Sequence, residues 1–274
     1  TMSPYPKASI IITSYNQRPT LELLLATLER QTIQDFEVII ADDGSSDGTD
    51  QLCSRQDKLN LRFETQPDIG YRKAKILNQA IRATRAPYLI FLDADTILER
   101  HFVEDHLRLS RPSYFVCGRR VELGPELSRS ITLDKVRQGW FDGFNFQLLK
   151  SVFKKDSEHF NRSIRVTNSY IRKIAKYDKP LDILGSNLSV WKDDIVEING
   201  FNEAMESYWG EDGDLYIRLR NTGKKAIGAK AICVQFHVFH KRREPTKEHV
   251  ESYYRMLKDT DYKWAKQGLS FQSI

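Results

Sequence analysis

Short apolar runs and longer amphipathic stretches alternate along the first third of the chain. Residues 8–13 (Ala-Ser-Ile-Ile-Ile-Thr), 36–41 (Phe-Glu-Val-Ile-Ile-Ala), 61–65 (Leu-Arg-Phe-Glu-Thr) and 88–92 (Tyr-Leu-Ile-Phe-Leu) are rich in β-branched and aromatic side chains. Each is too short for a buried helix, so each reads as a strand. Between them the spacing changes to that of a helix. Pro19 opens one with Leu21, Leu24, Leu25 and Leu28 on a single face, a second is predicted over 49–58, and Gly70 leads into a third over 71–84. Strand and helix joined by short connections predict an α/β fold with a largely parallel sheet and right-handed crossovers. Further on, Tyr114–Gly118 reads as a strand, and Glu211–Leu219 follows Trp209-Gly210 as a helix. Pro245-Thr246 caps a last amphipathic helix carrying Val250, Tyr253, Tyr254 and Leu257.

Polar chemistry gathers where the strands end. The run 88–92 stops at Asp93-Ala94-Asp95. Ligands in open α/β sheets bind beyond the carboxyl ends of strands, so both carboxylates fall at the mouth of a site. Two hard oxygen ligands there suit Mg²⁺ or Mn²⁺ with a diphosphate completing the shell. The plainer alternative is that Asp95 and Thr96 cap a following helix. The second strand ends in Asp42-Asp43-Gly44-Ser45, which is also a turn-forming sequence. Gly70-Tyr71-Arg72-Lys73 opens a helix with clustered cations, an anion site by charge and by dipole. Arg72 and Lys73 are the candidates for a donor diphosphate, while Lys75 reads equally as a solvated side chain. Near the end, His237 and His240 stand three apart beside an apolar run and before Lys241-Arg242-Arg243. Imidazoles there favour Mn²⁺ over Ca²⁺.

Composition narrows the classes. The net charge of +5 over 274 residues fits an anionic small ligand and is too weak to argue for nucleic acid. The three cysteines, Cys53, Cys117 and Cys233, are scattered near apolar runs. That predicts buried thiols in a reducing compartment rather than disulfides or zinc. No stretch of 18 apolar residues occurs, and no signal peptide opens the chain. The expectation is a soluble cytoplasmic protein, with peripheral contact to the inner face of a membrane left open and nothing fixing the oligomeric state.

The order of these elements resembles the family 2 glycosyltransferases of the GT-A (nucleotide-diphospho-sugar transferase) fold. The resemblance rests on Ile10–Asn16, on Ala41-Asp42-Asp43-Gly44-Ser45-Ser46-Asp47-Gly48-Thr49 and on Asp93-Ala94-Asp95. It implies a mostly parallel central sheet flanked by helices. It also implies that Asp42 or Asp43 reads uracil, that Asp93 contacts ribose and that Asp95 binds the metal. Thr13, Tyr15 and Ala94 belong to the same nucleotide site. A carboxylate suits uracil because it offers only acceptors to the imide N–H.

The C-terminal part resembles β-1,4-galactosyltransferases and the matching parts of chondroitin-polymerase and polypeptide N-acetylgalactosaminyltransferase domains. It does so through Gly185-Ser186-Asn187 and Trp209-Gly210-Glu211-Asp212. One glycine of the galactosyltransferase pattern is missing, and Gly213 replaces the next aspartate. By this resemblance Asp212 is the catalytic base, Glu211 contacts the donor sugar, Trp209 forms a platform, and a histidine joins Asp95 on the metal: alignment on Glu244-Pro245 gives His240, and His237, three residues earlier, is the second candidate ligand. The chemistry is consistent, since an inverting transfer needs one base for the acceptor hydroxyl.

The implied enzyme moves a hexose or N-acetylhexosamine from UDP-galactose, UDP-N-acetylgalactosamine or a gluco analogue to a glycan or lipid-linked sugar, with Mn²⁺ or Mg²⁺. The rivals are an inactive nucleotide-sugar-binding subunit and a sugar nucleotidyltransferase. Thr13–Arg18 lacks the glycine-rich loop that a nucleotidyltransferase carries after its first strand. One domain over 1–274 is expected, with a nucleotide-binding half over 1–118, a variable helical insertion over 119–182 and an acceptor and catalytic half over 183–274. The insertion, with Trp140-Phe141-Asp142-Gly143-Phe144 and a lysine-rich stretch to Lys179, reads either as an acceptor groove or membrane-facing surface or as a solvated lobe packed on the domain.

Overall fold

The computed structural model describes residues 5–179, 184–205, 210–241, 247–256 and 258–270. In chain order the strands are β1 (Ala8–Ser14), β2 (Phe36–Asp42), β3 (Leu61–Thr65), β4 (Tyr88–Asp93), β5 (Thr96–Leu98), β6 (Tyr114–Gly118), β7 (Arg120–Glu122), β8 (Leu188–Trp191), β9 (Lys225–Ala229) and β10 (Gln235–His237). The α-helices are α1 (Arg18–Leu28), α2 (Thr49–Ser54), α3 (Lys73–Ala83), α4 (Phe102–Leu109), α5 (Pro125–Arg129), α6 (Leu133–Arg137), α7 (Phe146–Phe153), α8 (Ser169–Ile174), α9 (Lys192–Glu197), α10 (Glu211–Asn221) and α11 (Lys247–Met256).

Seven strands form one sheet in the order β3-β2-β1-β4-β8-β6-β9. All neighbours are parallel except β8, which runs antiparallel to β4 and β6. Side chains alternate across a strand, and β1 shows the consequence. Ile10 and Ile12 pack with Leu21, Leu24, Leu25 and Leu28 of α1 on one face. Ile11 packs with Ile76, Leu77 and Ile81 of α3 on the other. Each buried leucine or isoleucine of this kind contributes about 1.5–3 kcal/mol. The sheet is therefore covered on both faces, and its polar strand ends carry the chemistry.

A second sheet, in the order β5-β10-β7, stands beside the first. Strand β10 is antiparallel to β5 and parallel to β7. Phe236 of β10 and Val121 of β7, both fully buried, meet Leu123, Leu127, Val136, Phe141 and Leu148 in a separate core. The aromatic cluster of the insertion divides here. Phe141 packs against Phe236 with ring centroids 4.8 Å apart, while Phe144 and Phe146 are exposed.

Three local expectations change. Asp95-Thr96 does not cap a helix, because Thr96–Leu98 is a strand with all three residues buried. Helix α2 ends at Ser54 instead of near 58, since beyond Cys53 the next buried apolar residue is Leu59, too far to continue a helical stripe. In α11 Tyr254 is exposed rather than packed on the domain, and the Pro245-Thr246 cap lies outside the described residues. Cys53, Cys117 and Cys233 are buried as thiols. No helix among the described residues is long and apolar enough to cross a membrane.

Candidate active site

The strand ends bring the acidic segments together. Parallel register sets Thr13 beside Asp93 and Ser14 beside Asp42, and Thr13 Oγ1 donates to Asp93 Oδ1 at 2.6 Å. Above them opens a cavity of about 450 Å³. Thr13, Tyr15, Asp43, Lys73, Asp93, Asp95, His237 and His240 line it, all of them singled out from the sequence.

The two adjacent aspartates of β2 separate. Asp42 folds back on its own turn, accepting from the Gly44 and Ser45 amides at 3.1 and 2.9 Å and from Thr65 Oγ1 at 3.0 Å. Its carboxylate holds the loop and does not line the cavity. Gly44 has φ +86°, and a Cβ there would stand 2.6 Å from the Asp68 amide, so the turn requires glycine. Asp43 does line the cavity, accepting from the Arg72 amide at 3.0 Å and from Gln66 Nε2. Burial holds its carboxyl above the usual range against these two donors. Ala94 is wholly buried, its amide bonded to the Thr13 carbonyl, so its part in the site is to space Asp93 from Asp95.

The two cations at the start of α3 also part. The Arg72 guanidinium bonds the Pro67 carbonyl and lies outside the cavity lining. In this conformation Arg72 therefore does not present its guanidinium to the space where a diphosphate is expected. Lys73 stays in the cavity, but its Nζ bridges Asp93 Oδ1 and Glu211 Oε1, each at 3.2 Å. Burial opposes its charge, and the surrounding Asp93, Glu211 and Asp212 carboxylates more than compensate, raising its pKa.

Glu211 and Asp212 occupy the first turn of α10, beside the cavity but outside its lining, and Glu211 is tied to it by Lys73 and by Tyr71, whose hydroxyl donates to Glu211 Oε1 at 3.2 Å. The helix is held by Arg218, fully buried and paired with Asp214, which also accepts from Tyr262 at 2.6 Å. Asp212 Oδ2 accepts the Gly185 amide at 2.8 Å. Burial, then the Glu211 charge and more weakly that of Asp93, push the Asp212 carboxyl up to about 7, with Lys73 opposing. Trp209 lies outside the described residues.

Asp95, His237 and His240 converge with their ligand atoms within 4.8 Å of one another. His240 Nε2 is 3.0 Å and His237 Nε2 3.5 Å from Asp95 Oδ2, and the two Nε2 atoms are 3.2 Å apart. Nδ1 of His237 faces Glu122 at 2.9 Å, and Nδ1 of His240 faces the Lys241 carbonyl at 3.2 Å. With both Nδ1 positions donating to acceptors, the neutral rings turn two Nε2 lone pairs toward a carboxylate and toward each other. A proton or a cation must lie among them. Asp95 Oδ1 is, in addition, buried without a hydrogen-bond partner among the described residues. Despite burial, the two imidazoles hold the Asp95 carboxyl well below its usual range. One carboxylate and two imidazoles with an orphaned oxygen fit a first-row divalent cation.

Sequence reasoning passed over several lining residues. Gln17 donates to Asp95 Oδ2 at 3.2 Å, Asp68 accepts from Tyr15 at 3.1 Å, and Tyr71 and Arg120 also face the cavity. Arg120-Val121-Glu122 alternates polar and apolar as a strand does, but over three residues, too few to single out Arg120.

Comparison with known proteins bears on the family and the fold. Residues 9–165 match the family model described as Glycosyl transferase family 2, and residues 168–242 match one described as N-terminal domain of galactosyltransferase. The chain is 40% identical over 108 residues to a validoxylamine A glucosyltransferase of Streptomyces hygroscopicus subsp. jinggangensis, covering 38% of this chain and 26% of that protein. It is 26% identical over 233 residues to a chondroitin synthase of Escherichia coli, covering 78% and 32%. It thus spans only about a quarter to a third of these relatives. Among solved structures, S. aureus TarS 1-349 in complex with UDP superposes with a TM-score of 0.59 at 17% identity, covering 92% of this chain and 64% of that one. A Pyrobaculum calidifontis mannosyltransferase in complex with GDP-Man and Mn²⁺ gives 0.58 at 19%, covering 88% and 62%. These last two likenesses are of fold.

Proposed function

The chain belongs to glycosyl transferase family 2, with the GT-A fold, and from that premise we propose that it is a cation-dependent, inverting transferase that moves a hexose or N-acetylhexosamine from a UDP-sugar to a glycan or lipid-linked acceptor. The observation that carries the proposal is the convergence of Asp95, His237 and His240 at the mouth of the cavity that Asp93 and Asp43 line. The match of residues 168–242 to a galactosyltransferase family supports galactose or N-acetylgalactosamine, or a gluco analogue, as the donor sugar.

In this reading Asp43 accepts the uracil imide N–H and Asp93 takes a ribose hydroxyl. Asp95, His237 and His240 hold the cation, Mn²⁺ before Mg²⁺ because two of the three ligands are imidazoles. When bound, the cation would offset the negative charge of the departing diphosphate. Lys241, exposed at the rim of the cavity, adds charge of the same sign. Asp212 removes the proton from the acceptor hydroxyl as that oxygen attacks the anomeric carbon and the bond to UDP breaks. A carboxyl near neutral pKa is a stronger base than an ordinary aspartate. Glu211, positioned by Tyr71 and Lys73, contacts the donor sugar.

The test is UDP release from a panel of UDP-sugars, with Mn²⁺ and with EDTA. Metal-dependent hydrolysis of one donor would support the reading and name the sugar. Absence of UDP binding in the presence of Mn²⁺ would remove the donor-site assignment.

A further inference from the structure

Two charged residues at the site have no role in the account so far, Glu122 and Arg120 on β7. Strand β7 pairs in parallel with β10 so that Glu122 stands opposite His237 and Arg120 opposite Gln235. Residues two apart on a strand share a face, and the contacts fit that register. Glu122 Oε2 meets His237 Nδ1 at 2.9 Å, and Glu122 Oε1 accepts from Arg120 Nε at 2.7 Å. Each carboxylate oxygen is thus committed to a different partner. Arg120 is itself tied down, its Nη1 reaching Ser186 Oγ at 3.3 Å and its carbonyl accepting from Arg162 Nη1 at 3.0 Å.

We infer that Glu122 is a positioning residue, which fixes His237 in the tautomer and ring orientation that leave Nε2 open to a divalent cation, and that Arg120 holds Glu122 in that task. The inference rests on the reading of Asp95, His237 and His240 as a cation site. Its physical basis is that an imidazole has one ring proton in the neutral form, and the nitrogen that donates it cannot ligate. A carboxylate accepts only, so at 2.9 Å it commits the proton to Nδ1. Without Glu122 the ring could place its proton on Nε2, where it would face Asp95 Oδ2 at 3.5 Å and close the site to a metal. The same carboxylate also raises the basicity of the ligating nitrogen. The equivalent restraint on His240 is only a backbone carbonyl on an exposed segment, so the rigid ligand of the pair is His237.

The experiment is direct titration of the protein with Mn²⁺, free ion being followed by electron paramagnetic resonance, and with Co²⁺, followed by its visible absorption. Wild type, Glu122→Ala and Glu122→Gln are compared, and folding is checked by circular dichroism and thermal midpoint in EDTA. Glu122→Ala is expected to bind Mn²⁺ about 10–100-fold more weakly and to change the Co²⁺ spectrum. Glu122→Gln, whose amide oxygen can still accept from Nδ1, is expected to recover part of the affinity. If Glu122→Ala does not fold, Glu122→Gln alone carries the test, and weaker binding than wild type supports the role. Folded variants that bind Mn²⁺ as tightly as wild type, with the same Co²⁺ spectrum, overturn it. Wild type that binds neither metal fails the cation-site reading itself, and the role of Glu122 falls with it.

Discussion

The backbone amide of Gly185 donates to Asp212 Oδ2 at 2.8 Å, joining the short turn before β8 to the first turn of α10. The approach is so close that a Cβ on residue 185 would stand 2.1 Å from Asp212 Oδ1. Gly185→Ala must therefore displace the carboxylate. Misplacing a catalytic group by about 1 Å can cost on the order of 100-fold in rate, and Gly185 is not among the residues that line the cavity. The expected outcome is a loss of roughly that size in turnover with UDP affinity retained, read from UDP release and from calorimetric titration with UDP. Wild-type turnover in this variant would remove Asp212 as the base.

Asp212 also sets a pH dependence. The ionised form is the base, and burial together with the Glu211 charge raises its pKa to about 7. Turnover should then be low in mild acid, climb as pH rises through about 7, and level off above it. Asp212→Asn should lower the rate by about 10²–10⁴-fold, the usual worth of a general base, and leave a residual rate without that limb. A wild-type profile flat between mildly acidic and mildly alkaline pH would contradict the assignment.

Lys73 stabilises the charged form of Asp212 and pairs directly with Asp93 and Glu211. Removing the ammonium leaves three neighbouring carboxylates without their shared cation. Lys73→Met should therefore move the acid limb of the turnover profile to higher pH, because protonated Asp212 becomes easier to hold. A limb that stays in place would show that Lys73 acts on the donor alone.

How far these relations could be read from the chain depends on the distance over which the physics acts. Apolar periodicity is local, so β1, β2, β3, β4, α1 and α3 follow from it. The carboxylates at the ends of β2 and β4 follow from the rule that ligands bind beyond strand ends. The fate of each polar side chain depends on partners far along the chain. Asp42 and Asp43 are neighbours of one type, yet Asp42 is consumed by its own turn while Asp43 faces the cavity. Arg72 and Lys73 differ in the same way, one drawn to the Pro67 carbonyl and the other to carboxylates on β4 and α10. The small sheet escaped the pattern for a further reason. Its strands are three residues each, too short to show a period, and its register, which brings Glu122 to His237, is a pairing between segments more than a hundred residues apart.

Cation binding should be visible as stability without any acceptor or donor. A ligand present at 100 times its dissociation constant stabilises the folded state by about 2.7 kcal/mol. For a chain of this size that corresponds to a rise of roughly 5–10 °C in thermal midpoint. Mn²⁺ should produce such a rise in wild type and EDTA should reverse it. Asp95→Ala and His240→Ala should lose the response, since each removes one of the three converging ligands. Scanning fluorimetry decides the matter, and an equal rise in Asp95→Ala would place the cation elsewhere.

The turn that supplies the Gly185 amide has its own acid-sensitive support. His106 on α4 is fully buried, with Nδ1 against Ser189 Oγ at 2.7 Å and Nε2 against Asn187 Oδ1 at 3.1 Å. Asn187 in turn donates to the Arg119 and Cys233 carbonyls, so the ring braces the segment between Gly185 and β8. Burial pushes the His106 pKa down to about 3, against about 6.5 in the unfolded chain. Below 6.5 the unfolded state takes up a proton that the folded state refuses until about 3. Stability from this group is therefore complete above 6.5 and falls as pH drops through that window, by up to about 1.4 kcal/mol per pH unit. His106→Gln, which keeps polar atoms near Ser189 and Asn187 but cannot titrate, should be less stable than wild type at neutral pH and should lose less on acidification. Comparing thermal midpoints of the two proteins near pH 7 and near pH 4.5 checks the claim. Parallel losses would mean that other groups, not His106, carry the acid sensitivity of the turn.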